Sequence, residues 1–253
     1  HDGNNECEVL DITNVGMLTK DGGGKDLTLK AKMPVKTIKD SYTMIGGKRH
    51  DCSNEANEVT YLYIDNIGRE QQLIVRAYNN GIAFRYAFDA LQHTRPTEEL
   101  TTYSIAEGTK RWMQKWTEPY EAFFPLSTTG GDENKRWGYP ALLQPSDKVF
   151  ALITEAGLER FDSASSLYND RNKELYRVVM DENLQNTTGK WSSPYRVVIV
   201  GELKDVVAST LVTDVSEPCR IEDTSWIKPG SVSWIYWAYN HGSNDYQIVR
   251  QYV

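Results

Sequence analysis

Two features of the sequence point to chemistry: a glutamate at the end of an apolar segment and a stretch rich in aromatic residues. Glu155 follows the apolar run Val149–Ile153 and precedes Ala156-Gly157. A buried carboxylate at such a place requires a partner, because desolvating an unpaired charge is very costly. A solvated glutamate at a strand end requires none, so the residues alone leave both interpretations of Glu155 open.

The aromatic stretch shows little regular periodicity. Flat aromatic faces suit a sugar-binding platform or a contact between domains. Such side chains more commonly fill the core or pack loops. Packing is therefore the preferred interpretation of this stretch. The charged segment 132–136 indicates a solvated loop within the stretch. The aromatic residues are Trp112, Trp116, Tyr120, Phe123, Phe124, Trp137 and Tyr139.

Signatures of several other site classes are missing from the sequence. The four histidines include no His-x-x-x-His pair, and neither a Gly-x-Ser-x-Gly elbow nor a phosphate-cradling glycine loop occurs. The three cysteines, Cys7, Cys52 and Cys219, lack a Cys-x-x-Cys spacing, which argues against zinc. Because their number is odd, they cannot all pair within the chain, although one disulfide is compatible with the count.

Composition and charge are those of an ordinary globular protein. Of the 253 residues, 40% are hydrophobic and 25% are charged, and the formal net charge is −7. No block of lysine and arginine occurs, so a nucleic-acid partner is not expected. No apolar run approaches the roughly 20 residues of a membrane helix, so membrane insertion is not expected either.

The strongest structural signal is a β-hairpin. Leu73–Tyr78 is rich in β-forming residues and is followed by Asn79-Asn80-Gly81 and then by Ile82–Phe88. In the second arm the residues Ile82, Phe84, Tyr86 and Phe88 share one face at the period of a strand. The sequence predicts that Asn-Gly supplies the positive φ values of a tight hairpin turn.

Many other short segments have the character of strands. Dense turn residues separate them, which predicts an all-β sandwich or barrel. One helix is expected from Glu202 to Leu211, where Leu203, Val206, Val207 and Leu211 recur at helical spacing. The expected strands are Leu27–Leu29, Glu58–Ile64, Val149–Thr154, Tyr176–Met180 and Tyr195–Val200.

The final segment differs in kind. After the turn Trp226–Gly230, Ser231–Trp237 predicts a buried strand and Asp245–Val253 predicts the start of a helix. Strand, loop and helix form the first unit of an α/β domain. Since this helix has no following strand to pack against, we expect a second domain that is truncated here.

Four segments carry a resemblance to a known family. They are Arg76–Tyr86, Thr154–Leu158, Ser193–Val198 and Asp223–Gly230, the last reading Asp-Thr-Ser-Trp-Ile-Lys-Pro-Gly. Their character, order and approximate spacing resemble the amino-terminal domain of glycoside hydrolase family 97, whose members are bacterial exo-acting α-glycosidases. The resemblance covers the chain from about Val9 onward.

The resemblance implies an architecture. Residues 1–228 would form a large β-super-sandwich of the galactose-mutarotase type. Residues 229–253 would contribute the first strand and part of the first helix of a (β/α)8 barrel. The partners would be the protein's own catalytic barrel and an oligosaccharide, and the location would be periplasmic or secreted, with a signal peptide removed.

The resemblance also implies site residues. In the family, a glutamate of the motif matched by Glu155 reaches into the barrel's active site and helps to bind a calcium ion. Trp237, Asn240 and His241, with Tyr239, follow the expected barrel strand and would line a sugar pocket. Loop packing explains these residues equally well. The catalytic carboxylates lie on later barrel strands, so no catalytic residue is expected in this chain.

The implied function is that of an accessory amino-terminal domain of a calcium-dependent α-galactosidase or α-glucosidase, inactive by itself. Glucosidase-type members read Trp-Asp-Trp-Trp-Asn at the first barrel strand, whereas residues 234–243 read Trp-Ile-Tyr-Trp-Ala-Tyr-Asn-His-Gly-Ser. This departure favours the retaining, galactosidase-like branch. The alternatives are a non-catalytic carbohydrate-binding module and, less favoured, a mutarotase-type epimerase, for which His50 and His93 have no evident glutamate partner.

Overall fold

A computed structural model describes residues 7–131, 135–159, 162–169, 174–181 and 184–231, together with Tyr246, Gln247 and Arg250. The described part is built almost entirely of β-strands, as expected. The strands are β1 (Asp11–Asn14), β2 (Met17–Thr19), β3 (Thr28–Lys32), β4 (Lys36–Thr43), β5 (Asp51–Ile64), β6 (Glu70–Tyr78), β7 (Gly81–Thr94), β8 (Pro96–Glu99), β9 (Thr102–Ser104), β10 (Lys110–Trp112), β11 (Leu126–Ser127), β12 (Lys135–Trp137), β13 (Ala141–Gln144), β14 (Phe150–Ala156), β15 (Ser165–Asn169), β16 (Leu175–Met180), β17 (Thr187–Ser192) and β18 (Tyr195–Gly201).

The strands form one large and one smaller antiparallel sheet, with a two-stranded ribbon beside them. The main path of the 11-stranded sheet is β11-β10-β13-β14-β18-β7-β6-β5-β3, with β17 on β7 and β4 on β5. The 5-stranded sheet has the order β1-β9-β16-β15-β12, and the ribbon pairs β2 with β8. This arrangement confirms the predicted all-β sandwich.

Strand β18 is the centre of the large sheet. Its residues pair with β14 on one side, where Val198 opposes Ile153, and with β7 on the other, where Val198 opposes Ile82. The first five residues of β18 are buried. Helices cover one face of the strand, and the smaller sheet covers the other. A near-continuous apolar strand is the expected sequence for such a position.

The two faces of β18 belong to different cores. Val198 packs into the main cluster between the sheets, with Ile153, Leu167 and Val178. On the outer face, Val197 joins a second cluster of Ala83, Ala156, Tyr195, Ile199, Val206, Leu211 and Val215. The alternation follows from the period of two in a strand.

The predicted hairpin is confirmed, but its glycine has a different role. Strands β6 and β7 pair up to Tyr78 and Gly81, so that Asn79 and Asn80 alone form the turn, and neither has a positive φ. Gly81 lies in β7 instead. A Cβ at Gly81 would stand 2.3 Å from the carbonyl oxygen of Val198 and 2.9 Å from Cδ2 of Leu211. Glycine is therefore required for the close approach of β18.

The prediction of one continuous helix over 202–211 is wrong. The structure has two short helices, α1 (Leu203–Ala208) and α2 (Leu211–Asp214), which are separated at Ser209. The Ser209 hydroxyl accepts hydrogen bonds from the Asn80 side chain (3.0 Å) and from the backbone N–H of Leu211 (3.2 Å). The Lys48 ammonium donates to the Ser209 carbonyl (2.9 Å), which anchors the break.

The last segment lies mostly outside the described residues. Tyr246, Gln247 and Arg250 are helical, in agreement with the expected helix start. The predicted strand Ser231–Trp237 falls on residues that the structure does not describe beyond Ser231, so the division at 228/229 and the barrel start stay predictions. Within the described part, no helix is both long and apolar enough to cross a bilayer.

All three cysteines are free thiols. Cys52 is buried in β5, Cys7 is half-buried, and Cys219 is exposed. The single disulfide that the count allowed does not form.

Candidate functional site

Glu155 lies on β14 directly opposite Arg196 of β18. Directly opposed residues of antiparallel strands have their side chains on the same face, about 5 Å apart. Here the Arg196 Nη1 donates to Glu155 Oε2 at 2.6 Å. The apolar run before Glu155 thus ends in an ion pair at the inner face of the large sheet.

A second carboxylate completes the ion cluster. Glu99, the last residue of β8, accepts from Arg196 through both oxygens, with Nη2 at 2.6 Å and Nε at 3.0 Å. The side chains of Arg196 and Glu99 are 1% and 0% exposed, whereas that of Glu155 is 11% exposed. The cluster therefore runs from the core, at Glu99, towards the edge of the sandwich, at Glu155.

Ser165 fixes the orientation of the Glu155 carboxylate. Its backbone N–H donates to Oε1 at 3.1 Å, and its hydroxyl donates to Oε2 at 2.7 Å. Because Ser165 begins β15 in the smaller sheet and Glu155 lies in the larger sheet, these bonds join the two layers. The solvated interpretation of Glu155 is excluded by this burial and these partners.

The charges of the cluster do not cancel. Two carboxylates, Glu99 and Glu155, share one guanidinium, so the group carries one excess negative charge when all three are ionised. Burial opposes the charge on Arg196, but the carboxylate of Glu99, followed by nearby Tyr139 and Glu155, outweighs it and raises the pKa of the guanidinium well above its ordinary value. Arg196 thus stays protonated at any pH at which the fold is intact.

The aromatic stretch divides between interior and surface. Trp116 is half-buried and its ring lies under the Arg136 guanidinium, 4.0 Å from the centroid. Phe123 is 94% exposed and Tyr120 is 46% exposed. Burial, and then the nearby carboxylates of Asp181 and Glu155, raise the pKa of the Tyr120 phenol. Of the exposed residues of the stretch, Tyr120 therefore lies near enough to Glu155 to sense its charge.

The described residues offer calcium one ligand and no complete site. They contain no group of three or more histidine, cysteine, aspartate or glutamate side chains arranged to hold a metal ion. Calcium takes six to eight oxygen ligands. Oε1 of Glu155 accepts only one hydrogen bond, so a lone pair is left on it, and the excess negative charge of the cluster suits a cation. The chain thus fits one ligand position of a shared site.

The other predicted site residues lie outside the described part of the chain. These are Trp237, Asn240 and His241, and Tyr239 beside them. Their proposed contact with sugar stays a prediction.

Sequence reasoning missed Arg196 and Glu99, the partners of Glu155. A signal for Arg196 was present, since Tyr195–Val200 places one arginine within an otherwise apolar strand. A charge at such a position indicates a buried counter-charge. Nothing in the segment around Glu99 indicated that it, rather than Glu98, points inward, because β8 is short and its register depends on its pairing with β2.

Comparison with known proteins identifies the family. Residues 3–218 match the family described as Glycosyl-hydrolase 97 N-terminal. The chain belongs to glycoside hydrolase family 97, as its amino-terminal domain. The matched range includes Glu99, Glu155 and Arg196 of the ion cluster and also Ser165.

Two curated relatives of this family 97 domain are enzymes. A probable retaining alpha-galactosidase of Streptomyces bingchenggensis is 24% identical over 238 residues, which cover 91% of this chain and 36% of that protein. A retaining alpha-galactosidase of Bacteroides thetaiotaomicron is 23% identical over 197 residues, which cover 64% of this chain and 30% of that protein. The chain thus spans about a third of the length of these relatives.

A solved structure has the same fold as the family 97 domain. The crystal structure of a beta-arabinopyranosidase superposes with a TM-score of 0.83 and 23% identity, covering 96% of this chain and 43% of that one. This likeness supports the sandwich architecture of the whole described part.

Proposed function

We propose that this chain is the accessory amino-terminal domain of a retaining α-glycosidase acting on terminal α-linked galactose, and that it has no glycosidase activity by itself. The observation that carries the proposal is the family match over residues 3–218 in a chain spanning about a third of two α-galactosidase relatives. Glycoside hydrolysis needs a pair of carboxyl groups flanking the scissile bond. In the described residues Glu155 and Glu99 both bind Arg196, which leaves neither available as an acid or nucleophile.

The domain's contribution to the active site would be the Glu155 carboxylate, as one ligand of a calcium ion. Three features support this role: one lightly bonded oxygen, 11% side-chain exposure at the edge of the sandwich, and excess negative charge. When bound, calcium supplies a positive charge that can polarise and orient a sugar. Arg196 and Ser165 would hold the carboxylate in one orientation, and the remaining ligands would come from the catalytic domain.

The contact with that catalytic domain would involve the exposed aromatic loop near Glu155. Phe123 and Phe124 are 94% and 41% exposed, and Leu126 is 55% exposed. Apolar side chains clustered in this way are typical of an interface. Since Tyr120 of this loop senses the charge of Glu155, one partner would be able to contact both the loop and Glu155.

The calcium role is tested in the complete protein that carries this domain. Glu155→Gln keeps the size of the side chain and removes its charge, and Glu98→Gln is the matched control on an exposed position of β8. We expect Glu155→Gln to weaken calcium affinity at least about tenfold, measured by calcium titration of chelator-treated protein, and to reduce the rise in Tm that calcium produces. Wild-type affinity in Glu155→Gln would exclude Glu155 as a ligand.

The accessory role has a separate readout. The complete protein should release p-nitrophenol from p-nitrophenyl α-galactoside with retention of configuration, whereas the 253-residue chain should release none. Hydrolysis by this chain alone would overturn the assignment. The expected periplasmic or secreted location is tested by fractionating cells that express the complete protein.

A further inference from the structure

The segment that follows α2, residues 216–230, leaves the sandwich at the end of β14 where Glu155 lies. We call it the exit segment. Val215, the residue before it, packs with Ala156 in the cluster on the outer face of the large sheet. The carbonyl oxygen of Val215 lies 4.0 Å from the position of a Cβ on Gly157. The chain therefore departs from the sandwich beside the end of β14 that carries Glu155.

An ion pair joins the exit segment to the residues that follow β14. Arg220 Nη2 donates to Glu159 Oε1 at 2.9 Å. The two side chains are 75% and 47% exposed, so water screens their attraction and the pair adds little to stability. A hydrogen bond from the Asp162 N–H to the Glu159 carbonyl (3.0 Å) closes a turn on the sandwich side of this pair. The pair thus shows that the two segments lie side by side at the surface.

Exposed apolar side chains flank this ion pair along the chain. Leu158 precedes Glu159 and is 46% exposed, and Ile221 follows Arg220 and is 53% exposed. Trp226, later in the exit segment, is 67% exposed. Large apolar side chains left open on two adjoining segments are typical of a surface that another domain covers.

The course of the chain indicates which domain covers this surface. The family match ends at residue 218, within the exit segment, and the aligned residues cover only 36% and 30% of the two curated relatives. A domain that follows the exit segment is held by the backbone close to Leu158 and Ile221. A short linker gives such a neighbour a millimolar effective concentration, so that even a weak apolar contact is occupied.

We propose that Leu158, Ile221 and Trp226 form a surface on which the catalytic domain of the same polypeptide docks. The Glu159–Arg220 pair would hold the exit segment in place beneath it. The inference rests on the proposed accessory role, because it needs a domain after the exit segment. Docking here would cover the end of β14 and so fix the distance between Glu155 and the catalytic domain.

The test is limited proteolysis of the complete protein and of the 253-residue chain with trypsin. The bond Arg220–Ile221 is the site to follow, because trypsin cleaves after arginine, whereas Lys228 is followed by Pro229, which blocks cleavage. We expect cleavage after Arg220 to be at least about tenfold slower in the complete protein, where docking covers this bond. Mass spectrometry of the fragment that begins at Ile221 measures the rate.

Leu158→Asp should bring the cleavage rate in the complete protein back towards that of the 253-residue chain, without changing the cleaved sequence. Leu203→Asp is the matched control. Leu203 is also 46% exposed, and it begins α1, where an aspartate suits the helix N-terminus. Helix α1 follows the end of β18 that pairs with Phe150, roughly 20 Å along β14 from Ala156. This variant should be cleaved at the wild-type rate.

Three results would overturn the proposal. The first is equally fast cleavage after Arg220 in the complete protein and in the 253-residue chain. The second is a complete protein whose Leu158→Asp variant is cleaved no faster than its Leu203→Asp variant. The third is a dimer of the 253-residue chain, seen by light scattering, that Leu158→Asp dissociates, because a second copy would then occupy the surface.

A second variant keeps the test decisive. If Leu158→Asp loses its native circular dichroism, Trp226→Asp is compared with Leu203→Asp in its place, and an unchanged cleavage rate rejects the surface. No readout involves hydrolysis of a glycoside. A complete protein that is inactive but protected at Arg220 would therefore contradict the proposed function and support this docking surface.

Discussion

At the scale of single residues, the charge of Arg196 organises the candidate site. Its guanidinium is fully buried and is shared by Glu99 and Glu155. Removing one partner of a buried ion pair leaves an uncompensated charge, which is far costlier than losing a surface pair. Arg196 is therefore a stability residue as well as the residue that orients Glu155.

Arg196→Met should lower the free energy of unfolding by about 3–5 kcal/mol, because it strands the Glu99 carboxylate in the core. Urea denaturation followed by tryptophan fluorescence measures this loss. Arg220→Met, whose side chain is 75% exposed and pairs with Glu159, should cost less than about 1 kcal/mol. The double variant Glu99→Gln/Arg196→Met should be more stable than Arg196→Met alone, and a double variant that is no more stable would contradict this account.

Asp162 should give a pH dependence of opposite sign to that of Asp21. Burial raises the pKa of Asp162, so ionisation costs the folded state, and this cost grows as the pH rises above 3.8 through the folded pKa. The hydrogen bond from Arg69 lowers the pKa of Asp21 to about 2, so its contribution is present above pH 3.8 and is lost towards pH 2.

Asp162→Asn is accordingly expected to be as stable as the wild type or more stable at pH 7, with an advantage that shrinks as the pH falls through the raised folded pKa towards 3.8. Asp21→Asn is expected to be less stable at pH 7, with a deficit that shrinks only as the pH falls from 3.8 towards 2. Chemical denaturation of both variants and the wild type between about pH 2 and pH 7 checks the signs. A constant difference for Asp162→Asn would show that its pKa is not raised.

At the scale of elements, the sequence predicted strands well and their terminations less well. The hairpin β6–β7 followed from alternation and from Asn-Asn-Gly, but the role of Gly81 did not, because it depends on β18, which lies more than a hundred residues later in the chain. The helix over 202–211 was likewise interrupted by contacts of Ser209 with Asn80 and Lys48, which helical periodicity cannot include. Local pattern predicts an element, whereas distant packing decides where it stops.

Gly81→Ala should destabilise the domain by about 2–4 kcal/mol, because its methyl group would meet the Val198 backbone carbonyl at 2.3 Å and push β18 from β7. Thermal or urea denaturation measures the loss. Gly46→Ala is the control, since a Cβ there meets nothing within 4 Å and should change stability by about 0.5 kcal/mol or less. Equal effects of the two substitutions would refute the close-approach argument.

At the scale of the whole molecule, family membership, the sandwich and the position of Glu155 at a strand end were accessible from the sequence. The ion cluster was not, since it joins residues from distant segments, Glu99 with Arg196. A single sequence records the type of each residue but not its neighbours across a sheet. Finding the cluster therefore required the register of β14 with β18.

The reactivity of the three cysteine thiols should show which parts of the molecule are protected from solvent. Cys219 is exposed and should react with Ellman's reagent at once, and the half-buried Cys7 should follow more slowly. Cys52, buried in β5, should react only after denaturant is added. Rapid reaction of all three thiols without denaturant would mean that the β4–β5 region is open in solution.

The central place of β18 has a consequence for the order in which the protein folds. Strands β3 and β5 to β7 pair with near neighbours in the chain and can form as soon as they are synthesised, and so can β10, β13 and β14. Both halves then have an unpaired edge, at residues 81–84 of β7 and at β14, until residues 195–201 emerge from the ribosome, although β17 can pair with residues 87–94 of β7 before that. Contacts between distant residues slow folding, and unpaired edges invite aggregation. Of the strands in the described part of the chain, the last one synthesised closes the sheet, so the nascent domain is most prone to aggregation just before β18 is made.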